Sequence, residues 1–228
     1  MRRDLLAAMQ AEAATRRPCA LATDLASGAQ LLFRAADAPQ DALGAAAIEA
    51  LRAGRSAIRR IGNRDIFFTV STPAPRLVLI GAVHVAQALA PMARLAGLDV
   101  TIIDPRSAFA DAVRFPDTRL VIQWPQDALK AEPLDEYCAV ALLTHDPRID
   151  DPALFAALAA GCRYIGALGS HRTHAARCER LAAAGRVEAA SRIHAPIGLD
   201  IGAETPAEIA VAILAEVVAT MRGRATMR

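Results

Sequence analysis

The stretch Arg76-Leu-Val-Leu-Ile-Gly-Ala-Val-His-Val-Ala-Gln-Ala-Leu-Ala90 constrains the fold of this chain more than any other. Leu77 to Ile80 is an unbroken apolar run, which suits a parallel strand covered on both faces. It enters Gly81 and then a helical pattern from Val85 to Leu95 that stops at Gly97. A second apolar run, Val100 to Ile103, follows and ends on Asp104. Strand, glycine turn, helix, strand and terminal acid, with the acid roughly twenty residues past the glycine, is the order of a dinucleotide-binding βαβ unit. The helix amino terminus offers free N–H groups and a positive dipole end to a phosphate, and the acid can hold a ribose hydroxyl. The fingerprint G-x-G-x-x-G/A is incomplete: Gly81 and Ala86 are present, but Val83 stands at the second glycine position. A β-branched residue there is expected to keep a pyrophosphate off the backbone and to resist positive φ. NAD binding through this loop is accordingly not the leading expectation.

The α/β alternation continues to residue 222. Arg119–Gln123, Cys138–Thr144 and Tyr164–Ser170 read as further strands. Asp151-Pro152 reads as the cap and first position of a helix ending at Gly161, and a helix is expected from about Thr173 to Ala184. Thr205-Pro-Ala-Glu208 is a capping box with proline at the first helical position, opening the last helix. Residues 1–73 read as a small α+β domain: a helix at Asp4–Ala14, strands at Cys19–Asp24 and Ala29–Arg34, a helix at Asp41–Arg52, and a hairpin around Gly62-Asn63. Ser71-Thr-Pro-Ala-Pro75 is the expected linker. The fold class is therefore α/β, a Rossmann-like open parallel sheet with helices on both faces over residues 76–222, preceded by that small domain.

Composition excludes several classes. With a net charge of +2 over 228 residues, neither a nucleic-acid binder nor a membrane-surface protein is expected. The longest apolar stretch, Ile209 to Ala219, carries Glu216 and is too short to span a bilayer. Cys19, Cys138, Cys162 and Cys178 form no C-x-x-C pair, which suits free thiols in the cytoplasm. No Gly-Lys-Ser/Thr occurs, and Lys130, the only lysine, is not four residues beyond Tyr137 or Tyr164, so P-loop and Tyr-x-x-x-Lys chemistry are absent.

Ligands of an open parallel sheet bind beyond the carboxyl ends of its strands. Those ends carry Gly81, Ala82, Val83 and His84; Asp104 and Arg106; Thr144, His145 and Asp146; and Gly169, Ser170 and Arg172. They are expected to converge on one crevice. His84 reads either as a ligand contact or as a polar residue in a helix's first turn, and Asp104 either as a ribose acceptor or as a loop cap. His171, Arg172, His174 and Arg177 oppose the dipole of their own helix, which fits either a bound anion or a solvated basic face. A metal site from His171, His174 and Cys178 lacks a fourth ligand. Asp200 flanks a glycine loop and reads equally as a ligand contact or a turn residue.

Taken together, Gly-Ala-x-His-Val-Ala, Asp104-Pro-Arg, Thr144-His-Asp, Tyr164-Ile-Gly-Ala-Leu-Gly-Ser with Arg-Thr-His, and Pro196-Ile-Gly-Leu-Asp-Ile-Gly-Ala-x-Thr-Pro-x-Glu-Ile-Ala resemble the XdhC/CoxI family over residues 75–222. These are accessory proteins of xanthine dehydrogenase, carbon monoxide dehydrogenase and related molybdenum hydroxylases. The resemblance implies a cytoplasmic chaperone rather than an enzyme. Such a chaperone binds molybdenum cofactor (molybdopterin or its dinucleotide form), protects it during sulfuration and passes it to an apo molybdenum hydroxylase. It also implies a cysteine desulfurase as partner and makes a homodimer an expectation. Two departures stand out: Val83 replaces the usual glycine, and residues 1–73 hold only a shortened version of the family's amino-terminal segment. The competing expectations are an NAD(P)-dependent oxidoreductase using His145 or His84 with Asp146 as acid and base, and an interaction protein with a degenerate cleft.

Overall fold

The computed structural model describes residues 2–37 and 39–224. It divides into two compact units, Met1–Ala74 and Pro75–Arg228.

In the first unit, β1 (Cys19–Asp24), β2 (Gln30–Arg34), β3 (Ala57–Ile61) and β4 (Arg64–Ser71) form an antiparallel sheet of order β2-β1-β4-β3. Side chains alternate along β1, so Ala20 and Ala22 pack with α2 (Ala42–Ala53) while Cys19 and Leu21 pack with Met9 of α1 (Arg3–Ala14). Asp41 caps α2 by accepting the Gly44 N–H at 2.7 Å, and Gly54 ends it in the left-handed region.

The second unit holds β5 (Arg76–Ile80), α3 (His84–Leu95), β6 (Asp99–Ile103), β7 (Arg119–Val121), α4 (Pro125–Ala131), β8 (Cys138–Leu142), α5 (Pro147–Ala159), β9 (Tyr164–Ala167), α6 (His171–Ala183) and α7 (Pro206–Met221). All five strands run parallel in the order β7-β6-β5-β8-β9. The chain winds outward from β5 to β7 and then returns to β8, so the order reverses between β5 and β8. Leu77 and Leu79 of β5 face a core shared with Leu89 of α3 and Ile213 and Val217 of α7. Val78 and Ile80 face the opposite core, with Leu154 and Leu158 of α5 and Leu181 of α6. Burial on both sides explains why β5 reads as a continuous apolar run. No helix among the described residues is long and apolar enough to cross a membrane.

Two sequence expectations change here. The helix expected to open at Asp151-Pro152 begins five residues earlier, at Asp146-Pro147, and Pro152 lies inside it. Either Asp-Pro pair can start a helix; the first does because Asp146 takes the Arg148 N–H at 2.9 Å. Helix α4, entered through Pro125, had no counterpart in the sequence expectation. The capping box at Thr205 is present as expected. Thr205→Ala should therefore destabilise this unit by about 1 kcal/mol, measurable as a shift in urea midpoint.

Candidate functional site

A crevice of about 730 Å³ opens where the strand order reverses. Val83, His84, Arg106, Thr144, His145 and Asp146 line it, joined by Arg148, Leu168 and Pro206. Of the residues expected there, Val83, His84, Arg106, Thr144, His145 and Asp146 converge on its wall, whereas Gly81, Ala82 and Asp104 are buried and are not in it. Gly169, Ser170, Arg172 and Asp200 are not in its wall, although Leu168, just before Gly169, is. Ser170 is spent as the cap of α6, accepting the Thr173 N–H at 3.3 Å, while Arg172 and Asp200 are exposed elsewhere.

The buried Gly81-Ala82 turn, which leads into Val83, makes a floor behind this wall. Gly81 sits at φ +113°, and a Cβ there would lie 2.6 Å from Thr144 Cγ2, so glycine is required by conformation and by space. The next peptide is held from both sides: the Ala82 N–H donates to Asp104 Oδ2 at 2.8 Å, and the Ala82 carbonyl accepts from Arg114 Nη1 at 3.2 Å. Val83 then adopts φ −94° and ψ 174° as the N-cap of α3. The expected conflict between a β-branched side chain and positive φ does not arise, because this position is extended.

Asp104 departs from the expectation of a ribose acceptor. Its side chain is completely buried, and besides Ala82 it accepts the Arg106 backbone N–H and Nε at 2.9 Å each and Nη2 at 2.8 Å. Burial opposes its ionisation. The Arg106 guanidinium and the two backbone N–H groups outweigh that and hold its pKa below the usual carboxylate range. The guanidinium also lies over the Phe109 ring, 4.4 Å from its centroid. Asp104 thus braces the floor, and Arg106 is the member of the pair that lines the crevice.

Thr144 works the same way on the other wall. Its hydroxyl donates to the buried Asp150 at 2.6 Å and accepts the Asp146 N–H at 3.1 Å. Burial pushes the Asp150 carboxyl up, against the Thr144 hydroxyl and the Arg177 charge. Arg177, read from the sequence as part of either an anion contact or a solvated basic face, is fully buried and donates to the Leu168 carbonyl at 3.3 Å. Asp150 was not singled out in the sequence because it lies inside a helix whose sequence signals only its start.

Three helix amino termini meet at this crevice: Val83 to Val85 begin α3, Asp146 to Arg148 begin α5, and Pro206 begins α7. Asp146 caps α5, and Thr205 with Glu208 caps α7, but no side chain caps α3. The open donors of α3 therefore face a cavity ringed by dipole ends, with Arg106 and Arg148 as its fixed cations. Asp146 is not disposed to act as a base. Its carboxylate is engaged by the Arg148 guanidinium, Nη2 at 2.7 Å, and by the Arg148 N–H, and its pKa is lowered to about 2. The pairing of Asp146 with His145 or His84 is accordingly replaced by one with Arg148. Among the described residues no three His, Cys, Asp or Glu side chains converge as a metal site; His174 Nε2 lies 3.5 Å from Cys178 Sγ.

The arrangement suits an anionic ligand, and comparison with known proteins gives the same Rossmann fold. A crystal structure described as a xanthine dehydrogenase from Bacillus halodurans shares the fold with a TM-score of 0.68 at 22% identity, covering 98% of this chain and 65% of that one. A probable xanthine dehydrogenase subunit of Bacillus subtilis is 32% identical over 159 residues, 69% of this chain and 46% of the relative. The molybdenum cofactor insertion chaperone PaoD of Escherichia coli is 36% identical over 146 residues, 64% of this chain and 40% of the relative. The chain thus spans less than half the length of these two relatives. A family model for the XdhC Rossmann domain matches residues 77–217, the segment that builds β5 through α7 and the whole crevice, and the chain belongs to that family.

Proposed function

We infer that this protein binds molybdenum cofactor in the crevice and serves its maturation and insertion. Its recipient would be an apo molybdenum hydroxylase and its sulfur source a cysteine desulfurase. The observation that carries this is the uncapped amino terminus of α3, opening onto a crevice that two further helix starts and two arginines surround. An organic phosphate fits such donors. The cofactor's phosphate would lie against the N–H groups of α3 with Arg106 beside it, and its pterin would lie along the wall formed by Leu143 and Leu168. When bound, the group supplies the metal chemistry of the recipient enzyme; the chain's own residues hold, orient and shelter it. The name of PaoD, an insertion chaperone, supports the same reading. The finer steps of sulfuration and delivery, a cytoplasmic setting and a homodimeric state belong to this proposal.

Val83→Asp tests it. A carboxylate at the N-cap would take the N–H groups that the phosphate uses and repel the phosphate itself. Cofactor retention through anaerobic gel filtration, read by molybdenum content and pterin fluorescence, is expected to fall at least tenfold. Stability of the free protein should stay nearly level, because a new cap worth about 1 kcal/mol offsets the lost valine contacts. Undiminished retention by Val83→Asp would remove the crevice from the cofactor's path.

A further inference from the structure

In nucleotide-binding sheets of this kind, the acid at the tip of the second strand accepts hydrogen bonds from a ribose diol. That requires carboxylate lone pairs facing the ligand. Here each Asp104 oxygen already accepts twice: Oδ1 from the backbone N–H and Nε of Arg106, Oδ2 from the Ala82 N–H and Arg106 Nη2. Four donors fill the sites that a carboxylate offers, and its side chain is 0% exposed. A ribose has no acceptor left at this position.

Arg106 stands in its place. Nε and Nη2 are given to Asp104, which leaves Nη1 over, and stacking on Phe109 fixes the plane of the group. Its side chain remains 37% exposed and lines the crevice. A guanidinium edge held in this way is a rigid, permanently charged donor, suited to phosphoryl oxygens rather than to neutral hydroxyls. On the other side of the floor, Val83 occupies the fingerprint position where glycine lets a diphosphate approach the backbone, and it packs against the core instead. Both departures from a dinucleotide site act in one direction: they remove the contacts of the diphosphate and the second ribose, and add a cation.

We propose that the crevice selects a ligand ending in a single phosphoryl group, a phosphate monoester, over a dinucleotide, and that Arg106 is the residue that sets this choice. This rests on the cofactor reading above and narrows it to the form of the pterin that carries no nucleotide. Asp104 is a positioning residue in this scheme, orienting the guanidinium and anchoring the Ala82 N–H.

The test compares two forms of one ligand on the intact chain: molybdopterin with its terminal phosphate, and the same pterin as its dinucleotide, both released anaerobically from donor enzymes. NAD is the pterin-free dinucleotide control. The intact chain is expected to retain the monophosphate form at least tenfold more tightly than the dinucleotide form. In Arg106→Ala the monophosphate should lose at least tenfold and the dinucleotide less than threefold. NAD binding should become measurable, because two Asp104 acceptor sites open. Arg106→Lys keeps the charge without the fork and should fall between. Equal or tighter retention of the dinucleotide form by the intact chain overturns the proposal and leaves the cofactor function standing. Retention of neither form overturns the cofactor function, and this proposal with it. The comparison on the unaltered protein decides the matter even where Arg106→Ala folds poorly.

Discussion

Gly81→Ala is expected to lower the melting temperature of the Pro75–Arg228 unit by on the order of 10 °C. Two costs add. An alanine at φ +113° is strained, by about 1–3 kcal/mol, and its Cβ would stand 2.6 Å from Thr144 Cγ2. The threonine cannot swing its methyl aside cheaply, since its hydroxyl is committed to Asp150 and to the Asp146 N–H. Overpacking of this kind costs about 1–3 kcal/mol more. Gly161→Ala provides the comparison: φ is +68° there but a Cβ meets nothing within 4 Å, so only a backbone cost of about 1–2 kcal/mol is expected. Thermal melts of both variants separate the two contributions. Equal losses would show that the approach of β5 to Thr144 has no energetic weight.

The second large effect concerns Glu216, far from the crevice residues in kind as well as in sequence. It lies on α7 with its side chain completely buried, and accepts the Tyr164 hydroxyl, His194 Nδ1 and the Gly198 N–H, each at 2.8 Å. These bonds tie the segment after α6 to the sheet and to the last helix. Burial alone would raise its pKa; the bonds from His194, Tyr164 and Gly198 prevail and lower it from 4.5 to about 2. A carboxylate whose folded pKa is depressed contributes stability that is present above its unfolded value and is lost as pH falls through the folded one. The window is thus pH 4.5 down to about 2, and the contribution about 3 kcal/mol. Glu216→Gln should lose most of this at pH 7, less than half as much at pH 3 and little at pH 2, so that its denaturation curve approaches that of the unaltered protein in acid. Glu216→Ala, which leaves all three donors without their acceptor, should cost about 3–5 kcal/mol at pH 7. A constant difference between Glu216→Gln and the unaltered protein across this range would assign the acid sensitivity to other carboxylates.

Glu216 also shows where reading a chain in order loses information. In sequence it is one acid interrupting the apolar run from Ile209 to Ala219, and its value there was only to argue against a membrane span. Its partner Tyr164 is 52 residues away. Nothing in local periodicity connects them. The same holds for Asp150, which no local pattern singled out and which is buried, accepting the Thr144 hydroxyl. Local rules put the start of this helix at Asp151-Pro152, whereas α5 begins at Asp146-Pro147, a few residues past the end of β8.

The sequence by itself determined the features whose causes lie within a few residues. Apolar runs set β5, β6 and β8, glycines set the turns after β5 and α2, and the Thr205 capping box set the start of α7. From the alternation of strand and helix followed the parallel sheet, and from that the strand ends that gather Val83, His84, Arg106, Thr144, His145 and Asp146 into one crevice. Tertiary structure alone decided what each of these can do there. Asp104 and Arg106 are two residues apart in a loop, and both were candidates to meet a ligand. Which of them lines the crevice depends on the Ala82 N–H, 22 residues upstream, which holds the carboxylate in the floor and leaves the guanidinium on the wall. A carboxylate withdrawn from water must find its donors inside, and those donors come from wherever the chain returns.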